Sequence, residues 1–147
     1  MIITLIIAIY GAVLSTYSVL ISKQQYKREI KVVLSYGFIR NPLSQVSPTM
    51  LFIAAHNTGE KTITLTSMGL LLPNKKYLNF LRPDSNVSFP HELLAGKDCN
   101  VWVTTKELAE DLKREGLSGK VSLKGFYRDA IGGDYRSKSI KFNIDKP

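Results

Sequence analysis

Residues 2–22, IITLIIAIYGAVLSTYSVLIS, contain no charged side chain, and KQQYKREIK follows at once. The hydrocarbon core of a bilayer takes roughly 20 residues of α-helix. A run of this length and polarity predicts one membrane-spanning helix over residues 1–22. A secretory signal would place a basic segment ahead of a shorter apolar core and end in a small-residue cleavage site. Here no Lys or Arg precedes the run and the apolar stretch is longer, which predicts an uncleaved anchor. Lys23, Lys27, Arg28 and Lys31 all fall just after it. Cationic residues flanking a span stay on the cytoplasmic side. The expected orientation is therefore N-terminus outside and C-terminal domain in the cytoplasm, with these four cations at the membrane surface.

Residues 23–29, KQQYKRE, are expected to prolong the helix as a basic juxtamembrane extension, with Tyr26 at headgroup level. No Gly-, Pro- or Ser-rich linker follows, so the helix should feed directly into a cytosolic domain over residues 30–147. Within the span the small residues are not scattered. At 100° per residue, Thr4, Ala8, Gly11, Ala12, Ser15 and Ser22 share one face, and Tyr10 and Tyr17 lie opposite. Small residues four apart let helices approach closely, and Ser and Thr can hydrogen-bond across the contact. This face predicts homo-oligomerisation. Since one helix cannot enclose a pore, any conduction would need several copies to line up these residues.

The remainder reads as short strands. Ile30, Val32, Leu34, Tyr36 and Phe38 alternate with Lys31, Val33, Ser35 and Gly37, the period of a half-buried strand. Residues 40–49 form a loop with two prolines. Residues 50–56 are apolar on both faces, as in a central strand. Residues 57–60, NTGE, turn the chain into a strand over 61–72, where Gly69 is expected to mark a bulge or bend. A short strand is expected over 77–81 and an edge strand near Val87. The strand over 99–103 leads into a helix opened by the capping box Thr104-x-x-Glu107 and ended by Gly116. Leu108 and Leu112 share its inner face, and Glu110 and Arg114 are spaced to pair outside. Strands over 120–128 and 135–144 follow, joined by a Gly-rich hairpin loop. About seven strands with one short helix predict a mainly β domain, an immunoglobulin-like β-sandwich, with a small barrel as the alternative.

Catalytic constellations are not apparent. His56 and His91 stand in no metal-ligand spacing, and Cys99 lies in an alternating strand, as a buried cysteine would. The single cysteine excludes an intrachain disulfide. The helical acids mix with Lys106, Lys113 and Arg114 as on a solvated face. Gly132-Gly133 has no helix after it to cradle a phosphate. The expectation is a non-enzymatic protein with no cofactor and no metal. The net charge of +8, from 20 Lys and Arg against 12 Asp and Glu, points to anionic lipid or an anionic ligand. Lys120, Lys124 and Arg128 alternate on one strand beside Ser122 and Phe126. Lys141 lies on the next strand, with Arg136 and Lys138 beside the hairpin loop. Together with Phe126 and Tyr127 they predict a basic face able to take a nucleotide, an oligonucleotide or a cytosolic partner protein. The same lysines also fit a solvated face that deters edge pairing.

The segments IYGAVLSTY, HNTGEKTITLTSMGLLLP, PHELLAGKDCNVWV and GFYRDAIGGDYRSKS, in this order, resemble a group of small bacterial single-pass membrane proteins with a cytosolic immunoglobulin-like domain. The architecture is also similar to the transmembrane effectors of anti-phage defence, of the Hailong, CBASS and type III CRISPR-associated kinds. That resemblance implies an inner-membrane effector whose oligomerised helices form a pore or lesion when a nucleotide signal or a partner acts on the β domain. The alternative is a non-conducting, membrane-anchored adaptor that recruits a cytosolic partner.

Overall fold

The computed structural model describes residues 2–25, 27–40 and 46–147. Tyr26 and residues 41–45 of the expected proline loop lie outside the described residues. Helix α1 (Ile2–Gln25) runs for 24 residues. Its segment Ile3–Lys23 is long and apolar enough to cross a membrane, and none of it is buried against the rest of the protein. An apolar helix with no protein against it leaves its whole surface to lipid or to other helices. The helix stops at Gln25, and residues 27–29 are not helical, so the extension expected to residue 29 does not form. Residues 27–29 are instead drawn against the 57–60 turn. Glu29 O accepts from Thr58 N (3.0 Å) and Gly59 N (3.1 Å), and Lys27 O accepts from Glu60 N (3.3 Å).

The strands are β1 (Ile30–Gly37), β2 (Met50–Asn57), β3 (Ile63–Leu71), β4 (Tyr77–Asn79), β5 (Asp84–Ser85), β6 (His91–Leu93), β7 (Asp98–Thr104), β8 (Lys120–Asp129), β9 (Asp134–Arg136) and β10 (Ile140–Asn143), with α2 (Thr105–Arg114) between β7 and β8. They form two antiparallel sheets, one in the order β1-β2-β7-β5 and the other β10-β8-β3-β4, with β6 added to β3 and β9 to β8. This is a sandwich rather than a closed barrel. Leu51, Ile53 and Val101 from the first sheet meet Leu65, Leu70, Leu123 and Tyr127 from the second, each 0% exposed. Burial of such side chains stabilises by about 1.5–3 kcal/mol each before conformational entropy is subtracted.

Helix α2 follows its sequence signals at both ends. Thr104 Oγ1 accepts from Glu107 N (3.2 Å) and donates to the Glu107 carboxylate (2.8 Å). At the other end Gly116 has φ +79°. Gly116 N donates to Lys113 O and Leu117 N to Leu112 O, both at 3.0 Å, the paired bonds that close a helix on a left-handed residue. Leu108 and Leu112 are buried. Arg114 pairs with Asp111 at 3.1 Å rather than with Glu110, since positions three and four back are both within reach.

Three local expectations are corrected. The register of β3 shifts between Leu65 and Ser67 rather than at Gly69. Gly69 serves close approach, because a Cβ there would overlap the Leu78 carbonyl. The last strand is two, since Ser137 breaks it. Ser137 N donates to Gly125 O (2.8 Å) and its hydroxyl accepts from Gly125 N (2.8 Å). Strand β6 pairs with β3 where no strand was expected.

Candidate functional site

Helix α1 is unbroken, so the 3.6-residue period holds along its length. It sets Thr4, Ala8, Gly11, Ala12, Ser15 and Ser22 on one side. A Cβ on Gly11 would meet nothing within 4 Å, so the surface there is open to a neighbouring helix. Ser18 falls on the same side, seven residues after Gly11 and four before Ser22. The seven-residue repeat Thr4, Gly11, Ser18 was the signal for it. Thr16, off this face, donates its hydroxyl to Ala12 O (2.8 Å), which satisfies it within the helix.

The basic residues of β8 to β10 separate into three places. Lys120, Lys124 and Lys141 stay together. Lys141 pairs in register with Ser122, which lies between Lys120 and Lys124 on β8, and all four are exposed. Arg128 and Arg136 are spent on a closed aromatic cluster. The Arg128 guanidinium lies 4.3 Å from the Tyr77 ring centroid and 5.3 Å from that of Phe126. Arg136 donates to Tyr77 Oη (2.6 Å) and Asp134 Oδ2 (2.8 Å). Hydrogen bonding to Asp134, then the charges of Asp134 and Tyr77, raise the Arg136 pKa further. Phe126 lies edge-on to Tyr77 and is 0% exposed. Tyr127 is in the core and donates to Ile53 O (2.7 Å). Neither ring is therefore a platform for a stacked base, which corrects that part of the expected site. Phe126 points outward by strand parity, but Tyr77 and Arg128 cover it.

The third place is a groove of about 720 Å³ between β1 and the β9–β10 segment, lined by residues 29–34 together with Thr58, Arg136, Lys138 and Ile140. It joins Lys31, expected at the membrane surface, to Lys138, expected on the basic face. Lys23 lies on α1, and Lys27 is paired with Glu29.

Arg28 has a different role. The β8–β9 hairpin folds around Asp129, which accepts from Gly133 N (2.6 Å), Ile131 N (3.0 Å) and Tyr135 Oη (2.9 Å). Burial pushes the Asp129 carboxyl up, but the bonds from Gly133, Tyr135 and Ile131 and the charge of Arg28 outweigh it and leave the pKa below 3.8. Burial, with the bond to Asp129, pushes Tyr135 up to about 12. The segment after α1 is held by the 57–60 turn through its backbone, and the Asp129 hairpin carries a carboxylate near enough to feel the charge of Arg28. A folded pKa below the unfolded one gives stability that is complete above the unfolded value and lost as pH falls through the folded one. Asp129→Asn is therefore expected to cost about 1–2 kcal/mol at pH 7 and to lessen the fall in stability below about pH 4. Urea titrations of both proteins at pH 7 and pH 3 measure this, and equal pH dependence would contradict it.

Cys99 is 0% exposed and beside Tyr127. Burial above all pushes its thiol up to about 11, far from a thiolate nucleophile at neutral pH. His56 lies on β2 opposite Lys31 and Asp98, and His91 is in the other sheet opposite Leu65. Asn57, read from the sequence only as the first residue of a turn, is the most heavily bonded buried polar side chain of the 57–60 turn. Its Nδ2 donates to Lys61 O (2.7 Å) and Leu93 O (2.9 Å), and its Oδ1 accepts from Gly59 N (3.1 Å).

No protein-family model matches this chain, and no curated protein matches it.

Proposed function

We propose that the protein is a single-pass effector of the bacterial inner membrane, of the kind that serves anti-phage defence. The β domain lies in the cytoplasm and controls oligomers of α1 that breach the membrane. The observation that carries this reading is the pairing of an entirely unburied apolar helix with a tied junction. Residues 27–29 are bonded to the 57–60 turn, so the chain is fixed to the sandwich within two residues of the end of α1 at Gln25, and movement of the sandwich acts on the helix over that short span. The face of Thr4, Ala8, Gly11, Ala12, Ser15, Ser18 and Ser22 is where copies of α1 meet. A phosphate-bearing ligand would be held by charge at Lys120, Lys124 and Lys141. Such contacts weaken with salt.

Gly11→Leu and Ser15→Leu test this. Both add bulk to the contact face and keep the helix apolar enough to insert. The expected result is loss of dye leakage and of crosslinked oligomers, with the protein still resistant to alkaline extraction from membranes and of unchanged intact mass. If both variants cause leakage like the wild type, or the wild type is monomeric in mild detergent, the pore reading fails. The adaptor reading then stands, and one observation favours it: the groove along residues 29–34 begins four residues after α1 ends, where a bound partner would be held against the membrane.

A further inference from the structure

The groove has an unusual wall. Six consecutive residues, 29–34, line it. On a strand, neighbouring side chains point to opposite faces, so a hollow on one face would touch only alternate residues. A hollow that touches all six runs along the strand's edge, with backbone N–H and C=O groups in its wall. β1 ends its sheet and pairs only with β2, so this edge is open. Open edges of this kind accept a further strand.

The facing wall is the segment that joins β9 to β10, and it presents Arg136, Lys138 and Ile140. Its register against β8 slips by one residue, with Arg136 opposite Phe126 and Ile140 opposite Leu123. Arg136 is already neutralised by Asp134 at 2.8 Å, and Glu29 by Lys27. The unpaired charges at the groove, among the described residues, are the ammonium groups of Lys31 and Lys138. The floor is apolar, with Ile30 7% and Val32 6% exposed. Tyr36 closes one end by donating its hydroxyl to Lys141 O (3.1 Å).

We infer that this groove binds an acidic, extended segment of a partner protein, which adds as a strand to the free edge of β1. Main-chain hydrogen bonds to β1 supply affinity. The side chains of the segment on the face toward this wall meet the Lys138 ammonium and the Ile140 side chain, so a carboxylate and an apolar residue are preferred on that face. A second carboxylate on the other face reaches Lys31. The site is separate from the three lysines around Ser122, and it functions whether α1 conducts or only anchors.

The test uses the full-length chain in nanodiscs of neutral phosphatidylcholine. The probe is a fluorescein-labelled peptide of two Asp-Asp-Val-Val repeats, which puts a carboxylate and an apolar residue on each face and is as long as the eight residues of β1, followed by anisotropy. Wild type is expected to bind it. Two versions N-methylated on alternate backbone nitrogens cover both registers, and one of them is expected not to bind. The double variant Lys31→Glu with Lys138→Glu should weaken binding roughly tenfold or more and prefer the same peptide with Lys in place of Asp. Both lysines are exposed, so folding is preserved, which Trp102 fluorescence verifies. Equal binding of the parent and both methylated peptides would overturn the strand addition. Unchanged affinity of the double variant would overturn the charge recognition. Uptake of dihexanoyl phosphatidylglycerol with no binding of the peptide would overturn both in favour of a lipid headgroup site.

Discussion

Replacing Asn57 with Ala is expected to lower the stability of the β domain by about 3 kcal/mol. The side chain is 2% exposed and makes three hydrogen bonds, to Lys61 O, Leu93 O and Gly59 N. Alanine fills less space and leaves the carbonyls of Lys61 and Leu93 without this donor, while Gly59 N keeps its bond to Glu29 O. A buried polar group that loses its partner costs roughly 1–3 kcal/mol, and neighbouring losses are not strictly additive. The backbone of Asn57 is also committed, its N donating to Lys97 O (2.9 Å) and its O accepting from Gly96 N (3.0 Å). It therefore joins the end of β2 to the 57–60 turn, to β6 and to the turn before β7. Asn57→Asp should be at least as damaging, because a carboxylate oxygen would replace the amide donor opposite two carbonyls. Urea unfolding of the full-length protein in detergent, followed by Trp102 fluorescence, measures both. A loss under 1 kcal/mol for the alanine variant would mean that water or local shifts replace these bonds.

Asn57 also shows where the sequence stops being legible. A local reading takes N-T-G-E as a turn, and it is one. Nothing local says that the asparagine reaches Leu93, on a strand of three residues that carries no periodic signal. Features with a local cause were readable: α1 from its missing charges, β1 from its alternation, β2 from its apolar run, and α2 from Thr104, Glu107 and Gly116. The central place of β2 followed from its two apolar faces. Features made by long-range contact were not. Strand parity sends Phe126 outward, and only the fold shows Tyr77 and Arg128 closing over it. Lys31 and Lys138 were assigned to different surfaces, and the antiparallel ordering of both sheets brings their two edge strands to one groove. The end of α1 at Gln25 was missed for the same reason, since the turn that captures the carbonyls of Lys27 and Glu29 lies thirty residues further on.

The largest effect at the junction is expected from Gly59→Val. Gly59 is buried, and a Cβ there would overlap the Lys27 carbonyl and stand 2.8 Å from Glu29 N. Both are backbone atoms, so the clash cannot be relieved by turning a side chain. Either the turn or residues 27–29 must move, and the latter have fewer attachments. Moving them breaks the bonds from Thr58 N, Gly59 N and Glu60 N, together worth about 3 kcal/mol, or about a hundredfold in the population of the released state. The sandwich core lies on the other side of this turn and should keep its fold. Released chain at Lys27 and Arg28 becomes a trypsin site, because cleavage follows the population of the open form. Trypsin is thus expected to separate α1 from the β domain about a hundredfold faster in Gly59→Val than in wild type, with Trp102 fluorescence unchanged. If the pore reading is right, the same variant loses ligand control of leakage while its helices still associate, because the turn no longer pulls on the chain that enters α1. Equal cleavage of the two proteins would show that the bonds to the 57–60 turn do not restrain the junction, and the coupling of sandwich to helix would need another route.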